Sequence, residues 1–353
     1  MTGLRIAFLL PSLRKTAPIT VAANIIRHLK HRCDITVFYF KDDVEVELGV
    51  PVQQLDFFKP FSFSEFDILH THMYRPDMYV MRYARQITCK TVVTLHSFIR
   101  EDMQNQYGFP KSFLVTHSWM RAVKKHDAIV CLTQCMKDHY TRHYKGKPMY
   151  VVNNGIDPDA LTGQLSPAEM QEMQALKSRY RIIGTASTLT RLKGLEIIIS
   201  FLKEHPEYAW YAPGEGNYSK NLKVLAKKAG VESRCFFPGH KENIPAYYPW
   251  YDVFAFPSHS EGFGLSIAEA AYFSRPIVCT DMPVFRELFT EEEVAFFRLH
   301  DAASFGTAVK KLEAGAAQFG ENAHRRVLRD YLAPRMAESY FQIYTEVLAR
   351  HAE

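Results

Sequence analysis

The sequence predicts an α/β protein made of two doubly wound domains, and three observations lead there. The chain has 353 residues, more than one small core serves, so a division into two is the natural expectation. Short apolar runs alternate with segments of helical period, the pattern of a parallel sheet flanked by helices. That alternation stops after about residue 159 and restarts near residue 181.

The first set of runs is LRIAFLL (4–10), DITVFYF (34–40), DILHTH (67–72), TVVTLHS (91–97) and AIVCLT (128–133). Each is a short β-rich run and reads as a buried strand of a parallel sheet. ITVAANIIRHLKH and PDMYVMRYARQI place apolar residues at helical spacing between them. A turn-like stretch, YVVNNGIDPD (150–159), and a polar helix-prone segment, SPAEMQEMQALKSRY, join the halves. The second set is RIIGTAS, a helix at 194–204, YAWYAPG, a helix at 218–229, CFFPG, VFAFPS, a helix from about Ser266, and PIVCTD. The domains are expected at 1–165 and 166–332, with a last helix over 333–353 returning to the first.

Hydrophobic residues make up 47% and charged residues 23%, the balance of an ordinary globular protein. No apolar run approaches the eighteen or so residues that span a bilayer, and MTGLRIAFLLPSL lacks a signal-peptide cleavage site. The six cysteines are scattered without framework spacing, which predicts reduced thiols and a cytoplasmic protein. Residues 1–165 carry 21 Lys and Arg against 15 Asp and Glu, and residues 166–353 carry 22 against 23. A basic first half suits an anionic partner, with peripheral contact at the inner face of an anionic membrane as one expectation and plain solvated charge as the other. Nucleic acid is not expected.

In open α/β sheets ligands sit beyond the carboxyl ends of the strands. His96 closes TVVTLHS, Gly214 and Gly216 follow YAWYAP, and Glu261 follows VFAFPSHS. The stretch HSEGFGLSIAEA (259–270) is the most suggestive. A strand, a Gly-Phe-Gly turn and a helix start present backbone amides and a helix dipole to a phosphate. Gly262 and Gly264 remove Cβ atoms where such a ligand must approach. Ser266 and Glu269 also fit a capping box, which would explain Glu269 as helix punctuation. It would leave Glu261 and both glycines unexplained.

Residues 259–287 resemble the E-x7-E segment of retaining glycosyltransferases of family 4 (GT4), which have the GT-B fold of two Rossmann-like domains facing across a cleft. The resemblance runs along most of the chain, through DILHTH, TVVTLHS, VVNNGIDPD, YAPGEGN and FFPGHKENIPAYYPWYDVFAFPS to MAESYFQIYTEVLA (336–349). It implies that Glu269 holds the ribose of a nucleotide sugar and Glu261 hydroxyls of the transferred sugar. It further implies that amides of Phe263, Gly264 and Leu265, with Gly262 and Gly214 nearby, meet the donor. His96 would bond the donor sugar near the reacting carbon, and Lys193 would neutralise the diphosphate. His72 and Thr16 would lie on the acceptor side. No cofactor and no metal are implied beyond the nucleotide-diphosphate sugar as substrate. The acceptor would be a glycan or lipid-linked hydroxyl of the lipopolysaccharide or capsule type, with retention at the anomeric carbon.

Three positions depart from the family pattern. Thr188 stands where an arginine is usual, and Arg191 lies in the same loop. Ala17-Pro18 stands where a Gly-Gly turn is usual, although proline suits a first helical turn. Ser274-Arg275 replaces a usual glycine. Two rival readings therefore stay open, a nucleotide-sugar 2-epimerase and a non-catalytic nucleotide-sugar-binding subunit. A dinucleotide oxidoreductase is disfavoured, because LLPSLRKTAP contains no glycine.

Other stretches are read structurally. DPD (157–159) reads as a turn more readily than as a metal motif. His139 and His143 in HYTRH lack a third ligand. His70 and His72 are read as facing opposite sides of their strand, one toward the acceptor and the other packing. The five phenylalanines of LDFFKPFSFSEFD (55–67) are read as packing over the sheet edge, ahead of membrane contact.

Overall fold

The computed structural model describes residues 3–350. The chain divides into two compact units, one running to Asp157 and resuming at Tyr331, the other Pro158–Asp330.

The first unit holds strands β1 (Leu4–Leu10), β2 (Cys33–Tyr39), β3 (Val52–Gln54), β4 (Ile68–His72), β5 (Lys90–Leu95), β6 (Ala128–Cys131) and β7 (Met149–Val151). They form one parallel sheet in the order β3-β2-β1-β4-β5-β6-β7. Helices α1 (Ala17–Leu29), α2 (Tyr74–Tyr83), α3 (Ile99–Gln106), α4 (Lys111–Val123) and α5 (Gln134–Thr141) connect the strands. α1 begins with Thr16 as its extended N-cap and Pro18 in the first turn, where a missing N–H costs nothing.

Every residue of β4 and of β6 is buried, which is why these strands read as unbroken apolar or uncharged runs. Beyond β3, Leu55 and Phe63 are buried, and Phe57, Phe61 and Phe66 pack against the same cluster. Phe38 of β2 meets Phe61, Phe63 and Phe66 with ring centroids 4.9, 5.3 and 5.7 Å away. Phe63 is therefore core, contributing about 1.5–3 kcal/mol when fully buried, while Phe57, Phe61 and Phe66 are partly buried against it; Phe58 remains exposed.

The second unit holds β8 (Arg181–Gly184), β9 (Tyr208–Tyr211), β10 (Cys235–Phe236), β11 (Val253–Phe256), β12 (Ile277–Thr280) and β13 (Ala295–Phe297), parallel and ordered β10-β9-β8-β11-β12-β13. Its helices are α6 (Pro167–Lys177), α7 (Glu196–Glu204), α8 (Ser219–Lys228), α9 (Leu265–Tyr272), α10 (Pro283–Leu288) and α11 (Ala302–Asp330). α11 breaks at Gly315, whose backbone is non-helical. The capping box of this unit lies at α6, where Ser166 and Glu169 bond each other's backbone reciprocally. At α9 the N-cap is Gly264, so Ser266 lies inside the helix and the capping reading of Ser266 and Glu269 does not hold.

The last helix, α12 (Ala333–Ala349), belongs to the first unit. Tyr340 and Tyr344 are fully buried there, and Arg32 reaches Glu338 at 2.5 Å and the Phe341 ring at 4.1 Å. The NNGID turn meets this helix directly. Ile156 donates to Tyr331 and accepts from Ala333, and a Cβ on Gly155 would fall 2.6 Å from the Ala333 backbone. That glycine is required by backbone contact.

Candidate active site

In the second unit, β8 and β11 are neighbours whose crossovers leave in opposite directions, the position where open α/β sheets present ligand sites. The loop after β8 carries Thr188, Arg191 and Lys193, and the loop after β11 carries Ser258 to Gly264. Two contacts fasten the loops together. The His259 amide donates to the Leu192 carbonyl at 2.7 Å. Gly194 has φ of 60°, and a Cβ there would lie 2.2 Å from the Pro257 carbonyl oxygen.

This fastening brings Lys193 Nζ to 2.5 Å from Glu261 Oε1. Ser258 donates its hydroxyl to the same oxygen at 2.8 Å. The two side chains are only 22% and 12% exposed, so the charge-assisted bond is shielded on most sides. Thr188 and Arg191 are exposed in the same loop.

Gly264 adopts φ of 90° at the start of α9, and a Cβ there would come within 2.8 Å of the Phe256 ring. The turn Gly262-Phe263-Gly264 thereby folds tightly over the end of β11, with Gly262 and Phe263 buried and Leu265 opening the helix. Glu269 is the fifth residue of α9, in its second turn, and accepts from the fully buried Tyr248 phenol at 2.7 Å. Burial first, then the Glu269 charge, holds that phenol well above its ordinary pKa. Tyr248, Ser258 and Gly194 were not singled out in the sequence, and only the AYYPWY run hinted at a buried aromatic partner.

Gly214 has φ of 138°, donates to the Gly239 carbonyl at 2.8 Å, and would clash with the Ser187 carbonyl at 2.3 Å if it carried a Cβ. Gly216 would meet the Leu189 carbonyl at 2.2 Å. Both glycines thus let this loop lie against the loop that leads to Lys193.

In the first unit, the ends of β4 and β5 bring histidines together. His72 Nδ1 lies 2.8 Å from His96 Nε2. His70 and His72 rings are 4.4 Å apart on one side of β4. The expectation of opposite sides is therefore corrected: side chains alternate along a strand, so residues two apart share a face. His70 bonds Tyr344 through Nδ1 and Thr94 through Nε2, each at 2.8 Å. His72 is fully buried, so its contact is His96 and it does not line an acceptor surface. Burial pushes His96 down to about 3 and lowers His70 and His72 well below the usual imidazole value. All three rings are neutral near pH 7. Thr16 is exposed at the N-cap of α1.

The remaining candidates have structural roles. Asp157 of the DPD stretch is buried and paired with Arg27 at 2.7 Å, and Pro158–Ala160 forms a 3-10 turn. His139 and His143 rings lie 5.4 Å apart. Among the described residues no group of three or more His, Cys, Asp or Glu is arranged to hold a metal ion, and no helix is long and apolar enough to cross a membrane.

Residues 57–160 match the model for Glycosyltransferase Family 4, and residues 168–326 match that for Glycosyl transferases group 1. The chain is 25% identical to the O-antigen biosynthesis glycosyltransferase WclY of Escherichia coli, covering 98% of this chain and 99% of that one. It is 26% identical to the lipopolysaccharide core biosynthesis mannosyltransferase LpsB of Rhizobium meliloti over 59% of this chain and 64% of that one. Among solved structures, sucrose-phosphate synthase from Thermosynechococcus elongatus superposes with a TM-score of 0.81 at 16% identity, covering 98% and 100% of the two chains. Anabaena HepE, solved with UDP and glucose, gives 0.79 at 17% identity over 97% and 99%. Two Rossmann-like sheets, the matched family models and these relatives agree: the chain is a glycosyltransferase of the GT-B fold and belongs to glycosyltransferase family 4.

Proposed function

We propose that this glycosyltransferase moves a sugar from a nucleotide-diphosphate donor to an acceptor hydroxyl of a cell-envelope glycan, with retention and without a bound metal. The observation that carries the donor assignment is the Lys193–Glu261 pair beside the Gly264 turn of α9. Lys193 and the helix-start amides of Phe263, Gly264 and Leu265 offer a cation and N–H donors to a diphosphate. Arg191 supplies the second cation that Thr188 does not. Glu261 and Glu269 offer carboxylates to hydroxyls of sugar and ribose, and His96 bonds the donor sugar.

In this scheme the bond from the anomeric carbon to the diphosphate oxygen breaks. The acceptor oxygen bonds that carbon on the same face, and its proton passes to the departing phosphate oxygen. Lys193 stabilises the charge that grows on the leaving group, the kind of electrostatic term that dominates such reactions. Names of relatives, an O-antigen glycosyltransferase and a lipopolysaccharide core mannosyltransferase, support the envelope-glycan acceptor. HepE structures with UDP-glucose and UDP make UDP-sugars the first donors to try, and a mannosyltransferase among the relatives makes nucleotide-diphosphate mannose the next.

An envelope acceptor fits peripheral contact with anionic lipid. Phe109, Phe113 and Leu114 are 85%, 62% and 64% exposed at the start of α4, and Lys111, His117, Arg121, Lys124 and Lys125 are exposed alongside. An apolar tip flanked by cations suits an anionic interface.

The test is thermal stabilisation and slow hydrolysis across UDP- and GDP-sugars, with Glu269→Ala in parallel. A shift with one donor, lost in the variant, supports the reading. No shift and no hydrolysis with any of them would overturn it.

A further inference from the structure

We propose that His72 is a positioning residue that fixes His96 in the tautomer with its hydrogen on Nδ1, so that His96 offers an N–H donor, and not a lone pair, to the donor sugar. The inference rests on the His96 role proposed above.

The geometry allows two arrangements. His72 Nδ1 and His96 Nε2 are 2.8 Å apart, and one of them must carry the shared hydrogen. If His96 Nε2 donates, then His72 Nδ1 accepts and the hydrogen of neutral His72 sits on Nε2. That nitrogen is sealed from solvent, with no protein acceptor within hydrogen-bond distance. A buried N–H without an acceptor costs about 1–3 kcal/mol, and orphaned donors are the rarer defect in folded proteins. If His72 Nδ1 donates instead, its Nε2 is left as a lone pair with no hydrogen to satisfy, and His96 accepts at Nε2. Neutral His96 then holds its hydrogen at Nδ1, the nitrogen not engaged by His72.

The surroundings keep this choice fixed. His72 packs against the Phe8 and His70 rings, with centroids 6.1 and 4.4 Å away, and those two rings touch each other at 5.1 Å. His70 is itself held at both nitrogens by Tyr344 and Thr94, so the stack has little freedom to turn. His96, at the loop end of β5, is the partly exposed member of the group. A donor at this position would favour a sugar hydroxyl or ring oxygen as acceptor, and its strength would not vary with pH across the neutral range.

The direct experiment is long-range 1H–15N NMR on the full chain with ring-labelled histidine, using His96→Gln and His72→Gln to assign signals. The proposal expects His96 protonated at Nδ1 and bare at Nε2 in the wild-type protein, which needs no variant to fold. Hydrogen on His96 Nε2 would overturn it. In turnover assays, His72→Asn keeps an amide donor near the position of Nδ1, whereas His72→Gln moves it toward that of Nε2. His72→Gln is expected to lower kcat roughly 10- to 100-fold, the size typical of losing an orienting partner, with donor KM within about 2-fold. His72→Asn should recover much of that loss. Equal loss in both variants, at unchanged melting temperature, would reduce His72 to packing and overturn the proposal. Full turnover in His96→Gln would instead refute the His96 role, whatever the tautomer.

Discussion

Lys193 and Glu261 come from loops that leave neighbouring strands in opposite directions, yet their charged atoms are 2.5 Å apart. A diphosphate arriving at the α9 turn would compete with Glu261 for this ammonium. Lys193→Ala is therefore expected to lower kcat about 100- to 1000-fold, the range for loss of one charge-stabilising donor. The melting temperature should fall as well, because removing one partner of so shielded a pair leaves Glu261 with the Ser258 hydroxyl but without its counter-ion, so turnover is read well below the variant's own melting temperature. Turnover within about threefold of wild type would remove Lys193 from the chemistry.

Ser274 ends α9 with φ of 54°. The Arg275 amide bonds the Ala270 carbonyl and the Ser274 amide bonds that of Ala271, the pair of bonds that usually accompanies glycine at this position. A side chain in the left-handed region costs about 1–2 kcal/mol. Ser274→Gly should raise the urea midpoint by the equivalent of about 1 kcal/mol. Gly320→Ala should lower it, since its Cβ would meet the Ser274 carbonyl oxygen at 2.2 Å. A lower midpoint for Ser274→Gly would show that the serine side chain contributes more than the backbone strain removes.

Acid should loosen α6. Hydrogen bonds from Lys241, then Tyr247 and Ser166, hold Glu169 at about 2, below its ordinary 4.5. A depressed carboxyl contributes stability that is fully present above pH 4.5 and lost as pH falls toward 2. Glu169→Gln should thus reduce stability near pH 7 by about 1 kcal/mol and make little difference near pH 2. Denaturant titration of both proteins at several pH values reads the convergence. Parallel curves across that range would contradict it.

Asp77 is fully buried and serves three partners. Thr71 donates to one oxygen at 2.6 Å, Trp119 Nε1 to the other at 2.7 Å, and His126 Nε2 lies 3.4 Å away. The carboxylate links α2, β4 and the Trp119 face of α4. Asp77→Ala should cost about 3–5 kcal/mol, because it strands buried donors. Asp77→Asn keeps the shape and one acceptor, so its cost should be smaller. Comparable midpoints for the two variants would show that volume, not hydrogen bonding, governs this position.

The long strands were legible because burial on both faces leaves an apolar run that no helix of that length imitates, as in LRIAFLL. β3, β7 and β13 were not, since three residues carry no period and their place is set by neighbouring strands. The 29-residue α11 also escaped notice, its pattern interrupted at Gly315. Within the candidate site, Glu261 and Glu269 could be proposed from residue type and order, and Lys193 from the family resemblance alone. The meeting of Lys193 with Glu261 could not, because it depends on the 2.7 Å bond between His259 and Leu192. Gly214 illustrates the converse: a glycine expected to admit a ligand is already required by the Ser187 carbonyl.

The single parallel β-bridge between Ile156 and Leu332 has a consequence for how the chain is made. The second unit is an insertion within the first, and a ribosome releases it before α12 exists. Until then His70 lacks Tyr344, and Thr94 lacks Tyr340. The amino-terminal sheet must wait, partly uncovered, while a contiguous neighbour downstream has every residue it needs to fold. Completion order would therefore run against synthesis order, with the first unit begun first and finished last.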